Sequence, residues 1–356
     1  MTRNRAYVNA IAGAVPDHDI HRPYVDWAKQ RIADPLERAL FARMAERAGI
    51  AHRWSVLPPT PAGGSPVADG GFYAAAVPST GERMRVYAEA APALAMAAIR
   101  QLPTDVTLNG ITHLVVASCT GFVAPGIDQI IAAELGLPDV ERTLVGFMGC
   151  YAAAAALRTA HHIVRSGPGA RVLVVTVELS TLHLQFATTA EPLLAELQFG
   201  DGAAAALVTG EPEGFGIVAP FTASLPDSGA LIRWTIGNTG FEMILSGEVP
   251  GRIGAALQDE EVRGRLLGGW PVEAVDAWAV HAGGRSILDA VERSLGLKPD
   301  RLAASRRVLA DYGNMSSSTL MFVLRDLLRD PEAQTGVAIA FGPGLAAEGF
   351  RFERAP

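Results

Sequence analysis

The sequence is poor in cysteine and in charge, and it has no long apolar run. Only two cysteines occur among 356 residues, and no Cys/His spacing typical of a metal site is present. Charged residues make up 19% and hydrophobic residues 49% of the chain, which excludes a disordered protein and indicates a large core or a subunit interface. A net charge of −7 argues against nucleic-acid binding. Two unpaired thiols predict a reducing, cytoplasmic setting.

The N-terminal residues superficially resemble a signal peptide. The apolar stretch is short, contains Asn9 and ends at Pro16, so residues 6–12 are predicted to form a first β-strand. No segment reaches the ~18 apolar residues of a membrane helix, and we expect no membrane partner. Helical spacing follows over residues 24–48 and 81–101, with a Pro- and Gly-rich loop at 58–64 between them.

Strand-like and helix-like segments then alternate, and the same order occurs twice. Strand 111–118 precedes a helix and Leu135-Gly136-Leu137, and strand 277–281 precedes a helix and Leu295-Gly296-Leu297. In both halves we expect a short strand next, then a small-residue turn. A third pair is 172–177 with 337–341. The order predicts an α/β protein of five layers built from two duplicated halves, 1–215 and 216–356, although unrelated strand–helix units would give a similar pattern.

Cys150 is the first candidate for chemistry. An apolar strand and Gly149 precede it, and a run of alanines follows it. This order places the thiol at a helix N-terminus, where free N–H groups and the helix dipole favour the thiolate. A thiolate there is an activated nucleophile, and a small buried core residue is the alternative.

Three further residues are candidates because they follow strands or turns. His281 ends a strand before Gly283-Gly284, where an acid, a base or an oxyanion donor could act. Asn314 follows Gly313, although Gly-Asn before serine is also ordinary turn chemistry. Cys119 lies near the position that His281 takes in the other half, and it is interpreted as cavity wall or core. Only a twofold arrangement of the halves would gather Cys150, His281 and Asn314.

Five motifs resemble the chalcone/stilbene synthase family, the type III polyketide synthases, and the resemblance runs from about Ala6 to the C-terminus. The motifs are Gly149-Cys150, Val280–Asp289, Tyr312–Ser317, Phe341–Leu345 and Phe199–Ala204. Taken together in this order, the five motifs are specific for this family. The resemblance therefore implies the thiolase-like five-layer fold.

The resemblance also implies a mechanism. Cys150, as a thiolate paired with His281, would accept an acyl group from a coenzyme A thioester. His281 and Asn314 would then stabilise the enolate left when malonyl-CoA loses CO2, and the enolate would attack the acyl-cysteine. The substrates are acyl-CoA and malonyl-CoA, no cofactor or metal is needed, and a homodimer is expected.

Several substrate-contacting positions are also implied by the resemblance. Phe199 matches a gatekeeper phenylalanine, and Met243 falls on the second gatekeeper position. Plant members carry threonine where this sequence has Cys119 and His183, and glycine where it has Trp234. Among bacterial relatives, bulky side chains at these positions accompany a fatty acyl starter and a pyrone or resorcinol product, which we expect here. The alternative is a short product derived from malonyl or acetyl units. The remaining positions are Ser316, Gly283 and Ser286, with Arg47, His52 and Arg53 for coenzyme A phosphates or as a solvated face.

Three alternative functions share parts of this pattern. A β-ketoacyl-ACP synthase also uses cysteine, histidine and asparagine, but it would need an acyl carrier protein. A thiol hydrolase would cleave a thioester or peptide without decarboxylation. A binding protein that keeps the fold would have an unreactive Cys150.

Overall fold

The computed structural model describes residues 5–74, 76–104, 106–167 and 169–356, so residues 1–4 of the predicted N-terminal half lie outside it. The strands are β1 (Tyr7–Ala14), β2 (His18–Asp19), β3 (Trp54–Ser55), β4 (His113–Ser118), β5 (Glu141–Gly146), β6 (Val172–Leu179), β7 (Asp201–Thr209), β8 (Phe215–Ser224), β9 (Ile232–Gly237), β10 (Gly240–Leu245), β11 (Ala277–Val280), β12 (Thr335–Gly342) and β13 (Ala346–Arg354). The helices are α1 (His21–Arg31), α2 (Pro35–Arg47), α3 (Thr80–Arg100), α4 (Ile127–Glu134), α5 (Ala152–Ser166), α6 (Ala190–Glu196), α7 (Val249–Gln258), α8 (Glu260–Leu267), α9 (Arg285–Leu295), α10 (Ala303–Tyr312) and α11 (Ser317–Leu328).

The sheet repeats one pattern twice. In the first half the strand order is β5-β4-β6-β7-β1, and in the second it is β11-β12-β13-β8. The pairs β4–β6 and β11–β12 are parallel, whereas β6–β7, β7–β1, β12–β13 and β13–β8 are antiparallel. The halves join where Tyr7 and Val8 pair with Gly216 and Phe215. The order therefore confirms the predicted duplication.

Helices lie on both sides of each half and between the halves. The central helices α5 and α11 contact strands of both halves. Helix α3 covers the outer face of the first half, and α9 packs with α7 and α10 beyond the second half. These are the five layers expected, helix, sheet, helix, sheet, helix, so the thiolase-like fold is confirmed.

The composition of the strands explains this layering. Successive side chains of a strand point to opposite faces. In β6, Val172 and Val174 join the central core while Leu173 and Val175 join the outer one. A strand buried on both faces must be apolar throughout. The small side chains of Ala152–Ala156 let α5 pack closely between the two sheet halves.

Two details differ from the sequence predictions. Helical spacing over 24–48 is broken at residues 32–34, where the side chain of Asp34 accepts a hydrogen bond from Leu36 N and begins α2. The prediction of a short strand after Leu295-Gly296-Leu297 is wrong. Residues 303–312 form α10, because good helix formers there bury Ala304, Val308 and Leu309 at helical spacing.

None of the helices that the structure describes combines the length and the apolar character needed to cross a bilayer. The central helices α5 and α11 have no charged residue in their first turn but carry arginines nearer their C-terminal ends, and the longer helix α3 carries exposed charged residues such as Glu82 and Arg85.

Matched leucine substitutions should measure how far the central layer sustains the fold. Leu157 in α5 is 0% exposed and Leu36 in α2 is 82% exposed. We expect Leu157→Ala to lower the free energy of unfolding by about 2–5 kcal/mol, because it leaves a cavity between packed layers. Leu36→Ala should change it by no more than about 0.5 kcal/mol. Urea unfolding followed by fluorescence provides the comparison, and equal losses would contradict the central position of α5.

Candidate active site

The turn that carries Cys150 requires glycine before it. Gly149 has a φ of +76°, and a Cβ there would lie 2.4 Å from Pro343 Cδ. A Cβ on Gly342 would lie 2.6 Å from the ring of Tyr151. The Gly149-Cys150 motif of the first half therefore packs directly on the Phe341–Leu345 motif of the second, since neither contact tolerates a side chain.

A second contact of this kind holds Asn314. A Cβ on Gly313, whose φ is +66°, would lie 2.7 Å from Gln198 O. The Asn314 N–H donates to Gln198 O at 2.7 Å, and Gly200 N–H donates to Asn314 O at 3.0 Å. The segment before β7 thus fixes Asn314, three residues before α11, and the motifs around Phe199 and Asn314 pack together.

These contacts bring the sequence candidates together. A cavity of about 40 Å³, here called the cysteine cavity, lies between the two halves. The predicted residues that line it are Cys150, His281, Asn314, Cys119, Phe199, Met243, Trp234, Ser316 and Gly283. Cys119 and His281 follow the equivalent strands β4 and β11, which places them on the same cavity as the duplication predicts.

Burial dominates the electrostatics of the cysteine cavity. It raises the pKa of Cys150 to about 11, although hydrogen bonds from the side chains of Ser316 and Asn314 act in the opposite direction. Burial also lowers the pKa of His281 to about 3. Cys150 lies at the start of a helix as the sequence predicted, in the 3₁₀ turn Gly149–Tyr151 that leads into α5, but burial outweighs the features that were expected to favour the thiolate. At neutral pH both groups are uncharged in this structure.

His281 and Asn314 have donor groups to offer. Within the part of the chain that the structure describes, neither ring nitrogen of His281 has a hydrogen-bond partner. Asn314 Nδ2 donates to Gly283 O at a long 3.3 Å, and its Oδ1 accepts from Ser316 N at 2.9 Å. Ser316 has a φ of +47°, which is unusual for a residue with a side chain. Buried unsatisfied donors of this kind are typical of functional sites.

Cys119 lines the same cavity, and Glu178 lies behind it. Cys119 Sγ accepts a hydrogen bond from Gly149 N at 2.8 Å, and Cys119 N donates to Glu178 Oε2 at 3.0 Å. Glu178 also accepts from the hydroxyls of Thr120 and Ser317. Burial raises the pKa of Glu178 to about 7 and, with the nearby carboxylate, raises the pKa of Cys119 well above its ordinary range.

A larger cavity of about 300 Å³ adjoins the cysteine cavity. The two share Ser180, Phe199, Trp234 and Met243 in their walls. His183 lines the larger cavity: its Nε2 donates to Thr120 O at 2.7 Å, and its Nδ1 accepts from Phe241 N at 3.0 Å. Burial lowers the pKa of His183 to about 3, so the ring is neutral.

Aromatic rings fill the space around His183. The imidazole stacks on Phe241 with ring centres 4.1 Å apart, and Trp234 Nε1 donates to Cys119 O at 3.2 Å. Bulk was expected at positions 183 and 234. The structure shows that both side chains are hydrogen-bonded to the segment after β4, so they form a fixed partition next to the cysteine cavity.

The basic candidates occupy different environments. Arg53 is buried, and its guanidinium donates to Phe199 O and Glu196 O, so it faces inward instead of toward a phosphate in solvent. Arg47 and Ser286 are exposed. They lie close together, because Arg285 Nη1 donates to Arg47 O at 3.0 Å. His52 is also exposed and pairs with Asp19.

Sequence reasoning missed Glu178, Ser180 and Pro343. An acidic residue in the otherwise apolar segment Val172–Leu179 was an available signal, because a buried carboxyl group needs several donors. Nothing in the sequence marked Ser180 or Pro343 as cavity wall. In the residues that the structure describes, no group of three or more histidines, cysteines or acidic residues could hold a metal ion.

The reactivity of Cys150 should follow its burial. With a pKa near 11, the thiolate fraction and the rate of alkylation by iodoacetamide should rise roughly tenfold per pH unit from pH 7 to 9. Ser316→Ala should slow the reaction, because a donor to the sulfur is lost, whereas the exposed control Ser286→Ala should not. Mass spectrometry of the tryptic peptides 143–158 and 101–142 separates Cys150 from Cys119. A rate of Cys150 alkylation that does not change over this pH range would contradict the conclusion that Cys150 and His281 are both neutral.

Comparison with known proteins agrees with the geometry. The N-terminal domain model of chalcone and stilbene synthases matches residues 1–212, and the C-terminal domain model matches residues 217–355. The chain is 36% identical over 293 residues to bisdemethoxycurcumin synthase of Oryza sativa, covering 76% of this chain and 73% of that protein. It is also 36% identical over 288 residues to the α-pyrone synthesis polyketide synthase-like Pks18 of Mycobacterium tuberculosis, with the same coverage.

A solved structure extends the likeness to the whole fold. PKS-I from the brown alga Ectocarpus siliculosus superposes with a TM-score of 0.86 at 28% identity, covering 98% of both chains. The matched models span both halves of the chain, and the curated relatives exceed a third in identity. The chain therefore belongs to the chalcone and stilbene synthase family, and it is a type III polyketide synthase.

Proposed function

We propose that this enzyme condenses a fatty acyl-CoA starter with malonyl-CoA and cyclises the product to a pyrone or a resorcinol. The observation that carries this proposal is the larger cavity, which shares a wall with the cysteine cavity and gives an acyl chain a place to lie. Its volume falls at the lower end of ordinary ligand sites. Pro192 and Ile244 line it and are exposed, so the cavity reaches the surface.

The wall of the larger cavity suits an apolar chain. Besides Phe199, Met243 and Trp234, which it shares with the cysteine cavity, its apolar lining residues include Ile20, Leu57, Pro66, Val67, Leu184, Pro192, Ala195, Phe241 and Ile244. Burial raises the pKa of Glu196 to about 8, so this carboxyl group is uncharged at neutral pH. Arg53 Nη1 donates to Phe199 O, whereas its Nη2 is buried and has no hydrogen-bond partner among the described residues. A long acyl group would therefore meet no carboxylate charge from Glu196, while the guanidinium of Arg53 remains the charged group of the two in this wall.

In the mechanism that we propose, Cys150 is the nucleophile and His281 takes its proton. The thiolate attacks the starter thioester, coenzyme A leaves with the proton from His281, and an acyl-cysteine remains. Since both groups are neutral before substrate binds, the proton transfer and the attack must be coupled. Neither ring nitrogen of His281 has a hydrogen-bond partner in the described ranges, so a lone pair is available to accept this proton.

Malonyl-CoA then occupies the emptied site. Its carbon–carbon bond to the carboxylate breaks, CO2 leaves, and the electron pair forms an enolate. Its oxygen accepts hydrogen bonds from His281 and Asn314, which stabilises the charge as it develops. The enolate carbon attacks the acyl group, and the Cys150 thiolate is released. These steps use only side chains of this protein and coenzyme A thioesters, without a cofactor.

Other predicted residues have a place in this proposal. Phe199 and Met243 border both cavities, as gatekeepers would. Gly283 lines the cysteine cavity, Ser286 is exposed in the first turn of α9, and Arg47 is exposed at the end of α2, which Arg285 contacts. We propose that the pantetheine arm and phosphates of coenzyme A follow this path. We treat residues 1–215 and 216–356 as one catalytic unit, because the first supplies Cys150 and the second supplies its partners.

We also propose a cytoplasmic homodimer. Strand β5 ends the sheet, and most of its side chains, including Leu144, are exposed. Phe122, in the loop before α4, is exposed as well. An unpaired edge strand with exposed apolar side chains is a surface that a second copy can cover. Both cysteines are free thiols, which suits a reducing compartment.

Substitution of the reacting groups should separate the two half-reactions. We expect Cys150→Ala to abolish condensation but to retain decarboxylation of malonyl-CoA, because the enolate donors remain. His281→Ala should reduce both by about 10²–10³-fold, since it removes a donor to the enolate. CO2 release and product mass are measured in parallel. Thioester cleavage without CO2 release would favour a hydrolase, and full activity of Cys150→Ala would contradict the nucleophile assignment.

A survey of starter acyl-CoAs of increasing chain length, with malonyl-CoA and no carrier protein, tests the substrate. We expect pyrone or resorcinol masses from long-chain starters. Ala195→Trp should fill the larger cavity and lower kcat/KM for long starters by about tenfold or more, while short starters remain usable. The control is Ala133→Trp, at an exposed position of α4 away from both cavities. Activity that appears only when acyl carrier protein is added would identify a β-ketoacyl-ACP synthase instead.

A further inference from the structure

The two cysteines of this chain share one cavity. Cys119 follows β4 in the first half, and Cys150 lies in the turn before α5, 31 positions later. Both line the cysteine cavity of about 40 Å³. Cys150 is the more accessible of the two, because Cys119 is almost fully buried. The mechanism proposed above uses the sulfur of Cys150 and leaves that of Cys119 without a chemical task.

The sulfur of Cys119 already contacts the residue bonded to Cys150. It accepts a hydrogen bond from Gly149 N at 2.8 Å and lies 3.4 Å from Gly149 O. Neighbouring Cα atoms are about 3.8 Å apart, so Cys150 begins within side-chain reach of that sulfur. A disulfide needs Cα atoms about 4.4–6.8 Å apart, a separation that these contacts permit.

We propose that Cys119 and Cys150 form a reversible disulfide when the protein meets a peroxide. The Cys150 thiolate attacks one oxygen of hydrogen peroxide, the O–O bond breaks, and hydroxide leaves with the electron pair. Cys150 is then a sulfenic acid, oxidised by two electrons. Cys119 attacks its sulfur, the S–S bond forms, and the S–O bond breaks. The proton from Cys119 joins the second hydroxide, so two thiols and one peroxide give one disulfide and two waters.

The residues around the two sulfur atoms indicate which cysteine is oxidised first. Side chains of Ser316 and Asn314 direct hydrogen bonds to the Cys150 sulfur, and His281 can receive its proton. Cys150 is also partly exposed whereas Cys119 is buried, so a peroxide in the cavity has better access to Cys150. Cys119 is held by Gly149 N–H, a donor that stabilises its thiolate as it attacks. Cys150 is therefore oxidised first, and Cys119 resolves the product.

The consequence is protection of the nucleophile. Without a neighbouring thiol, a sulfenic acid is oxidised further to the sulfinic acid, which ordinary thiol reductants do not reverse. The disulfide stops this progression and is reduced by dithiothreitol. The loss and recovery of activity rest on the proposed role of Cys150, whereas the disulfide itself does not.

Peptide mapping tests the bond directly. The intact enzyme is treated with hydrogen peroxide, blocked with iodoacetamide and digested with trypsin without reduction. Cys119 falls in peptide 101–142 and Cys150 in peptide 143–158. We expect these two peptides to be linked within one chain, with the loss of two hydrogen atoms from the intact mass. Dithiothreitol should release the peptides and restore most of the condensing activity.

Two variants complete the test. Cys119→Ala and Cys119→Ser, each compared with its own untreated activity, should add oxygen at Cys150 and recover several-fold less activity after dithiothreitol than the wild-type enzyme. Circular dichroism confirms that each variant is folded. The proposal is overturned if the wild-type enzyme accumulates a Cys150 sulfinic acid without a linked pair, if the bond joins two chains, or if the variants recover as fully as the wild-type enzyme. A linked pair without loss of condensation would instead contradict the nucleophile assignment.

Discussion

The site depends on close packing of the two halves at glycines. Gly149 meets Pro343, and Gly313 meets Gln198, at distances that leave no room for a Cβ. These contacts join the turn that carries Cys150 to the C-terminal half, and the turn that carries Asn314 to the N-terminal half. Because the two halves approach so closely at these glycines, the side chains at their junction are held in fixed positions. A rigid scaffold preorganises a site in this way, and no direct bond between the side chains is needed.

The second constraint is burial of ionisable groups with few partners. Cys150 and His281 are held in their neutral forms because a charge in this cavity is poorly solvated. A neutral imidazole with free nitrogens can both accept a proton and donate a hydrogen bond, whereas a preformed ion pair could not readily do both. Glu178 lies behind them, where three donors hold its carboxyl group. In the mechanism that we propose, charge therefore develops in this site only as substrate bonds rearrange.

Much of this arrangement was predictable from the sequence. The repeated order of strands and helices predicted the layers, and it placed Cys119 and His281 at equivalent strand ends, because each element carries a local periodicity. The prediction of a strand before Gly313 was wrong, because a helix that buries Val308 and Leu309 fits the same short apolar pattern. The partition of His183, Phe241 and Trp234 could not be predicted, because it depends on hydrogen bonds to residues more than fifty positions away. The same holds for the direction in which Arg53 points.

The wall of the larger cavity is built partly from regular secondary structure and partly from an irregular segment. Its inner wall is sheet and helix, but Leu57, Val67 and Tyr73 come from the irregular segment between β3 and α3. Such segments accept substitutions and insertions more readily than packed layers do. Mutation in this segment can therefore remodel the outer wall while the glycine contacts that position Cys150 stay intact. In the function that we propose, a change in this segment would alter the preferred starter and leave the condensation chemistry intact, because substrate preference and chemistry depend on different parts of the chain.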